Sequence, residues 1–248
     1  MKPWRSTIEQ HVKRWSAGLG PRAWWPRFVY HFTDVRNAVE ILKRGWLFSR
    51  DRATTEGLLT CDGASATVIS QTLSEHKNFV RLYFRPGTPT QFRNEGIRPI
   101  EQRWRPGLGE PSAHLPVPVF FCFDAVETLG ADGVCFSDGN MASSRVEYND
   151  TCDLFKRLPF ELIYHDGPFP PEESAKFKHH RHAEVLVPEQ LSLEHLRWII
   201  CRSSAERQTL LALLPSEARG SWESRVRLGF EGLFFRRWTY VESVAGIE

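Results

Sequence analysis

Several patterns that would announce a function are missing. No apolar stretch approaches the roughly 20 residues that a membrane-crossing helix requires. No G-x-G-x-x-G follows a strand-like run and no G-K-[ST] occurs, which removes the common dinucleotide turn and the phosphate-cradling loop. The G-x-S-x-G elbow of serine hydrolases is absent as well. Cysteine is sparse: Cys61, Cys122, Cys135, Cys152 and Cys201 are widely spaced and odd in number, with no C-x-x-C pair. That excludes a disulfide framework and a cysteine-based zinc site, so no metal is expected and a reducing compartment is. Neither sign of charge is in excess, the formal net charge being +2. Attraction to nucleic acid would therefore have to come from local patches. His11, Lys13 and Arg14 interrupt the first residues, which lack the apolar core of an export signal. A cytoplasmic protein without a membrane segment is the expectation.

What is present suits a folded domain. Hydrophobic residues make up 41% and charged residues 25% of 248, an ordinary balance for one domain with a sizeable core. Aromatics reach 12%, with nine tryptophans; cores and base-stacking platforms both use them. Residues 1–27 read as a peripheral extension with a short helix over TIEQHVKRWSAG. FVYHFT (28–33) reads as a buried strand, and Asp34 as the N-cap of a helix over VRNAVEILKR, stopped by Gly45. Further strands are expected at VRLYF (80–84), VPVFFCF (117–123), GVCFSDG (133–139), AEVLVP (183–188), LRWIICRS and GLFFRRWTYVESV (232–244). Residues 49–79 read as a long polar loop with one short helix, and 140–178 as a long irregular segment of the kind that usually carries function.

Single residues are weak signals. HHRH (179–182) could be a metal site, but adjacent side chains diverge on an extended chain, and a solvated basic run explains it. His31 on an apolar strand can be a satisfied structural histidine, and Tyr83 a packed aromatic. Glu184, between the basic run and an apolar strand, can be a charge that protects a sheet edge. Position alone favours that reading, the alternative being that it faces a cleft and stabilises positive charge there.

The order of these residues carries more than any one of them. YHFTDVRNAVEILKRGWL (30–47), VRLYFRPGTPTQF (80–92), GVCFSDGNMASS (133–144) and HRHAEVLVP (180–188) together resemble the DarT family of nucleic-acid-modifying ADP-ribosyltransferases. The resemblance implies an α+β ADP-ribosyltransferase fold over 28–248: a twisted antiparallel β core with peripheral helices and a long substrate-binding loop. It implies NAD as co-substrate, bound by His31, Phe32, Thr33, Asn37 and Tyr83, with Glu184 as the catalytic carboxylate. Where the family has a catalytic arginine, this chain reads LSEHKNF (73–79), which makes His76 the candidate; Lys77, Arg50 and Arg52 are other substitutes. The 139–183 loop would hold the acceptor through Arg145, Lys176, Lys178 and Arg181, with Phe155, Phe160, Tyr164, Phe169 and Phe177 interleaved. The acceptor implied is a thymine or guanine in single-stranded DNA. RNA or protein as acceptor, or a catalytically inactive NAD- or nucleic-acid-binding module, are the alternatives. A toxin role is implied too, with an antitoxin ADP-ribosyl hydrolase as partner.

The chemistry suits the residues. Cleavage of the nicotinamide–ribose bond develops oxocarbenium character, as glycosidic cleavage does, and a nearby carboxylate stabilises that charge or takes a proton from the nucleophile. Partial burial would raise such a carboxyl somewhat.

Overall fold

Alternation in FVYHFTD builds the central strand β1 (Phe28–Asp34). Phe28, Tyr30 and Phe32 pack on one side with Phe120, Cys122 and Ile200. Val29 packs on the other with Val119, Phe121 and Phe123. Asp34 then turns the chain: its carboxylate accepts from the Arg36 backbone N–H at 3.1 Å and starts helix α2 (Val35–Arg44). Gly45, at φ 72°, ends that helix in a left-handed conformation that a side chain would strain.

The computed structural model describes residues 1–63, 69–70, 73–104, 111–143, 146–229 and 232–235. Among the described residues, eight strands form one sheet in the order β10-β9-β4-β1-β3-β7-β5-β6. They are β3 (Phe79–Tyr83), β4 (Pro118–Asp124), β5 (Cys135–Ser137), β6 (Tyr148–Asn149), β7 (Glu184–Pro188), β9 (Leu196–Cys201) and β10 (Val226–Leu228) around β1. Neighbours are antiparallel except β9 and β10. The strands β2 (Trp46–Phe48) and β8 (Gln190–Ser192), which the sequence pattern does not reveal, pair in a small second sheet. No helix among the described residues is long and apolar enough to cross a membrane.

Three expectations change. Residues 1–27 are packed rather than peripheral: Ile8 on helix α1 (Arg5–Gly18) is fully buried in the main core, and Trp25 joins it. The segment 140–178 is not irregular, because short helices span Cys152–Arg157, Phe160–Ile163 and Ser174–His180. Phe155, Phe160 and Tyr164 are buried there against His11 and Trp15 of α1, and Phe177 is buried under Phe169. Phe155, Phe160, Tyr164 and Phe177 are core, not a stacking surface for bases. The strand expected at 232–244 is absent over 232–235, and 236–244 lie outside the described residues; the last described strand is β10.

Candidate active site

Strands β1 and β3 pair at a single position, Tyr30 with Tyr83, and part beyond it. A cleft opens there, and Asn37 of α2, the segment after helix α3 (Arg50–Thr55), and Glu184 at the start of β7 complete its lining. His31, Phe32, Thr33, Asn37, His76, Tyr83 and Glu184, separated by up to 153 positions in the chain, all line this one cleft.

Register explains the centre of the site. Tyr83 stands directly opposite Glu184, so both side chains leave the sheet on one face. Arg81, two residues before Tyr83, shares that face and reaches Glu184 along the diagonal, its Nη1 lying 4.0 Å from Oε1. Its Nη2 donates to the His76 carbonyl at 3.5 Å. Sequence reading passed over Arg81 because VRLYF reads as one buried strand. The period of two that places Arg81 on the face of Tyr83 was the available signal.

Glu184 is 1% exposed although it lines the cleft. Its Oε2 accepts from the Met141 N–H at 3.0 Å. Ser137 holds the turn over it: its hydroxyl accepts from the Glu184 N–H at 3.0 Å and donates to the Gly139 carbonyl at 2.6 Å. Burial raises the Glu184 carboxyl above its ordinary range, while Arg81 and the Met141 N–H pull it back. His76 does not touch Glu184 directly. Its Nδ1 bonds the Met141 carbonyl at 3.2 Å, so the backbone of one residue, Met141, links the imidazole to the carboxylate. Its Nε2 lies 3.6 Å from Glu75.

His31 Nδ1 lies 3.2 Å from the Arg81 carbonyl, across the gap between β1 and β3. Burial lowers its pKa to about 4, so the ring is neutral near pH 7. With Nδ1–H donating to that carbonyl, Nε2 is left as an acceptor. Burial also pushes the Tyr83 phenol up, so it stays protonated, and it bonds the Thr90 side chain. Asn37 is committed within the fold. Its amide donates to Thr33 Oγ1 and the Cys61 carbonyl, and its Oδ1 accepts from Cys61 N–H and from Thr60. It pins the 60–61 segment over β1 and lines the cleft as part of that clamp.

The expected acceptor residues lie elsewhere. Lys176 and Lys178 are exposed on helix Ser174–His180 and do not line the cleft; Lys176 pairs with Glu173 at 3.8 Å. Arg181 is held internally, donating to the Gly167 carbonyl and bonding His165 Nδ1 while it covers the Phe169 ring. Those bonds tie helix Ser174–His180 to the 165–167 turn, which leaves little of Arg181 for a phosphate. Arg145 lies outside the described residues. Nor is HHRH a solvated extended run: it ends a helix, with His179 Nε2 at 3.2 Å from Asp138 Oδ2 and His180 Nδ1 at 2.8 Å from the Asp138 carbonyl. Helical geometry turns both rings toward Asp138, and His182 is buried against the Lys178 carbonyl. Arg50 pairs with Asp62, and Arg52 bonds Gln190 and Glu56; of the two, only Arg50 lines the cleft.

The His179 ring packs against Gly139 so closely that a Cβ there would overlap it. Gly139→Ala should therefore displace the turn that presents Met141 to Glu184. Misplacement on the order of 1 Å costs up to about a hundredfold, so turnover at this cleft should fall while ligand affinity in it holds. Gly139→Ala/His179→Ala, with the ring removed, should recover part of the loss. An unchanged kcat in Gly139→Ala would dissociate the turn from catalysis.

The family model of ssDNA thymidine ADP-ribosyltransferase, DarT, matches residues 30–231. Among curated protein sequences none matches the chain. Among solved structures, the chain is similar to Thermus sp. 2.9 DarT in complex with NAD+, with a TM-score of 0.58 and 17% identity over 82% of this chain and 96% of that one. It is similar to the same Thermus protein in complex with ADP-ribosylated ssDNA, with a TM-score of 0.60 and 16% identity over 82% and 94%. Thermosipho africanus DarTG in complex with ADP-ribose aligns with a TM-score of 0.51 and 17% identity over 75% of this chain and 46% of that one. The fold is thus that of an α+β ADP-ribosyltransferase. With a family match that runs from Tyr30 on the central strand to a point beyond the last described strand, the chain belongs to the DarT family of ssDNA thymidine ADP-ribosyltransferases, NAD-dependent enzymes that modify DNA.

Proposed function

We propose that this chain transfers ADP-ribose from NAD to thymine in single-stranded DNA, with Glu184 as the catalytic carboxylate. The observation that carries the reading is a buried carboxylate on the wall of a cleft, raised by desolvation and flanked by Arg81 and the Met141 N–H. The lining suits a dinucleotide. Arg44, Arg50, Lys77 and Arg81 offer cations for a diphosphate, His31 Nε2 an acceptor for a ribose hydroxyl, and Tyr83 a π-face for the cationic nicotinamide ring. In the transfer, the bond between ribose C1′ and the nicotinamide nitrogen breaks and nicotinamide leaves neutral, its ring having taken the bonding pair. A nucleobase nitrogen attacks C1′, and its proton passes to the Glu184 carboxylate or to water. Before that, the carboxylate stabilises the positive charge that develops on the sugar.

His76 and Asn37 act here as positioning residues: His76 through the Met141 backbone, Asn37 through the 60–61 segment. Modification of bases in DNA would make the protein toxic in the cytoplasm of the cell that expresses it. A partner that hydrolyses the ADP-ribose–base bond is the antitoxin this reading requires.

The reading is tested by incubating the protein with labelled NAD and, separately, with single-stranded DNA, duplex DNA, RNA and protein. Label should enter single-stranded DNA, and mass spectrometry should place one ADP-ribose on thymine. Transfer to RNA or protein in preference to DNA would overturn it.

A further inference from the structure

A second groove lies across the sheet from the cleft, where β1, β4, β9 and β10 meet. Its lining includes Arg27, Arg197, Arg225 and Arg227 beside Phe28 and Trp198. Among the described residues one carboxylate, Asp124, lines the groove with these four guanidiniums, and it pairs with Arg197 at 3.2 Å. Arg225 donates to the Leu196 carbonyl at 2.8 Å and rests on Trp222. Arg27 and Arg227 are exposed and enter no ion pair among the described residues. In a chain whose whole net charge is +2, four cations against one anion in a single groove is a marked concentration.

The aromatic component is independent of the charge. The Arg227 guanidinium lies over the half-buried Trp198 ring, 4.9 Å from its centroid, so a base that stacks on the ring displaces the guanidinium toward a phosphate. An exposed cation next to an aromatic face is the pairing that single strands use, with phosphate on the cation and base on the ring. The groove also shares a strand with the catalytic cleft: Phe28 and Phe32 stand on one face of β1, Phe28 lining the groove and Phe32 the cleft. From β9 to β7, which carries Glu184, is four strand spacings, about 19 Å. A short oligonucleotide filling the cleft ends before the groove; a longer one reaches it.

We propose that this groove is a second binding surface for single-stranded DNA, taking phosphates on Arg27 and Arg227 and a base against Trp198 while the target base occupies the cleft. The proposal rests on the DNA-modifying reading above and extends it, making strand length a determinant of substrate quality.

The experiment compares wild type with Arg27→Glu/Arg227→Glu on thymine-containing oligonucleotides of about 4 and about 16 nucleotides, with a melting curve as a fold control. For the long substrate KM should rise about tenfold, and the slope of log affinity against log salt should shrink by about 1.4, the worth of two phosphate contacts on a single strand. For the short substrate kcat and KM should not move. Trp198→Leu, which keeps apolar bulk, should raise KM for the long substrate alone. Equal loss on both lengths, or no loss on either, overturns the proposal; the second result with intact transfer leaves the DNA-modifying reading standing. Should wild type transfer nothing to DNA, that reading fails, and anisotropy of the same two labelled oligonucleotides still decides the groove: length-dependent binding lost in the charge-reversed variant supports it, and unchanged binding sinks it.

Discussion

Glu184→Gln should bind NAD as wild type does and lose base modification by about a hundred- to ten-thousandfold, the usual worth of a positioned acid–base or charge-stabilising group. Glutamine keeps the size of the side chain and still accepts from the Met141 N–H, so the turn over the site stays in place. What it loses is the negative charge, which matters when the sugar becomes cationic and little before. Stability provides an internal control. Burial raises the Glu184 carboxyl, which means that the folded state disfavours its charged form. A neutral isostere removes that cost, so the melting temperature at pH 7 should hold or rise. A purely structural ion pair with Arg81 would behave in the opposite way, with a lower melting temperature and unchanged turnover. Titration calorimetry with NAD, a melting curve and single-turnover transfer to an oligonucleotide separate the two.

Arg81→Ala carries the second-largest expected effect, about a hundredfold in kcat, and its signature is a pH profile. Arg81 is the cation that pulls the raised Glu184 carboxyl back down. Its removal leaves burial opposed only by the Met141 N–H, so the carboxyl moves further up. With the carboxylate as the active form, the acidic limb of kcat/KM must then shift toward higher pH, and activity lost at neutral pH should partly return in alkaline buffer. Arg81→Lys restores the charge but not the planar fork that also reaches the His76 carbonyl. It should return the limb toward the wild-type position while recovering only part of kcat. A limb that stays put in Arg81→Ala would show that Arg81 does not tune Glu184.

Local patterns made much of the fold legible. Alternating aromatics define β1, and Asp34 and Gly45 bound α2 because a cap and a left-handed stop act within a few residues of themselves. VPVFFCF and AEVLVP are apolar for the reason their strands are buried on both faces. The helices in 140–178 were not legible. Their apolar residues Phe155, Phe160 and Tyr164 face His11 and Trp15, about 150 positions away, and no local period encodes that partner. The strands β2 and β8 escaped for the same reason: three residues each hold a shape only because the other is there.

The site divides along the same line. Residue types at ordered positions, His31 and Tyr83 on strands and Glu184 at the mouth of another, were enough to indicate the family by resemblance; the proposed roles give them an aromatic face, a neutral imidazole and a carboxylate to supply. The tertiary structure decided which neighbours tune them. Arg81 reaches Glu184 through the register of β3 on β7, and Met141 through a turn closed by Ser137. It also withdrew Arg181 into a structural role and gathered Arg27 and Arg227 around Trp198. These are electrostatic and packing relations between residues distant in the chain. Their strength depends on separations of a few ångströms and on burial, quantities that exist only once the sheet has formed.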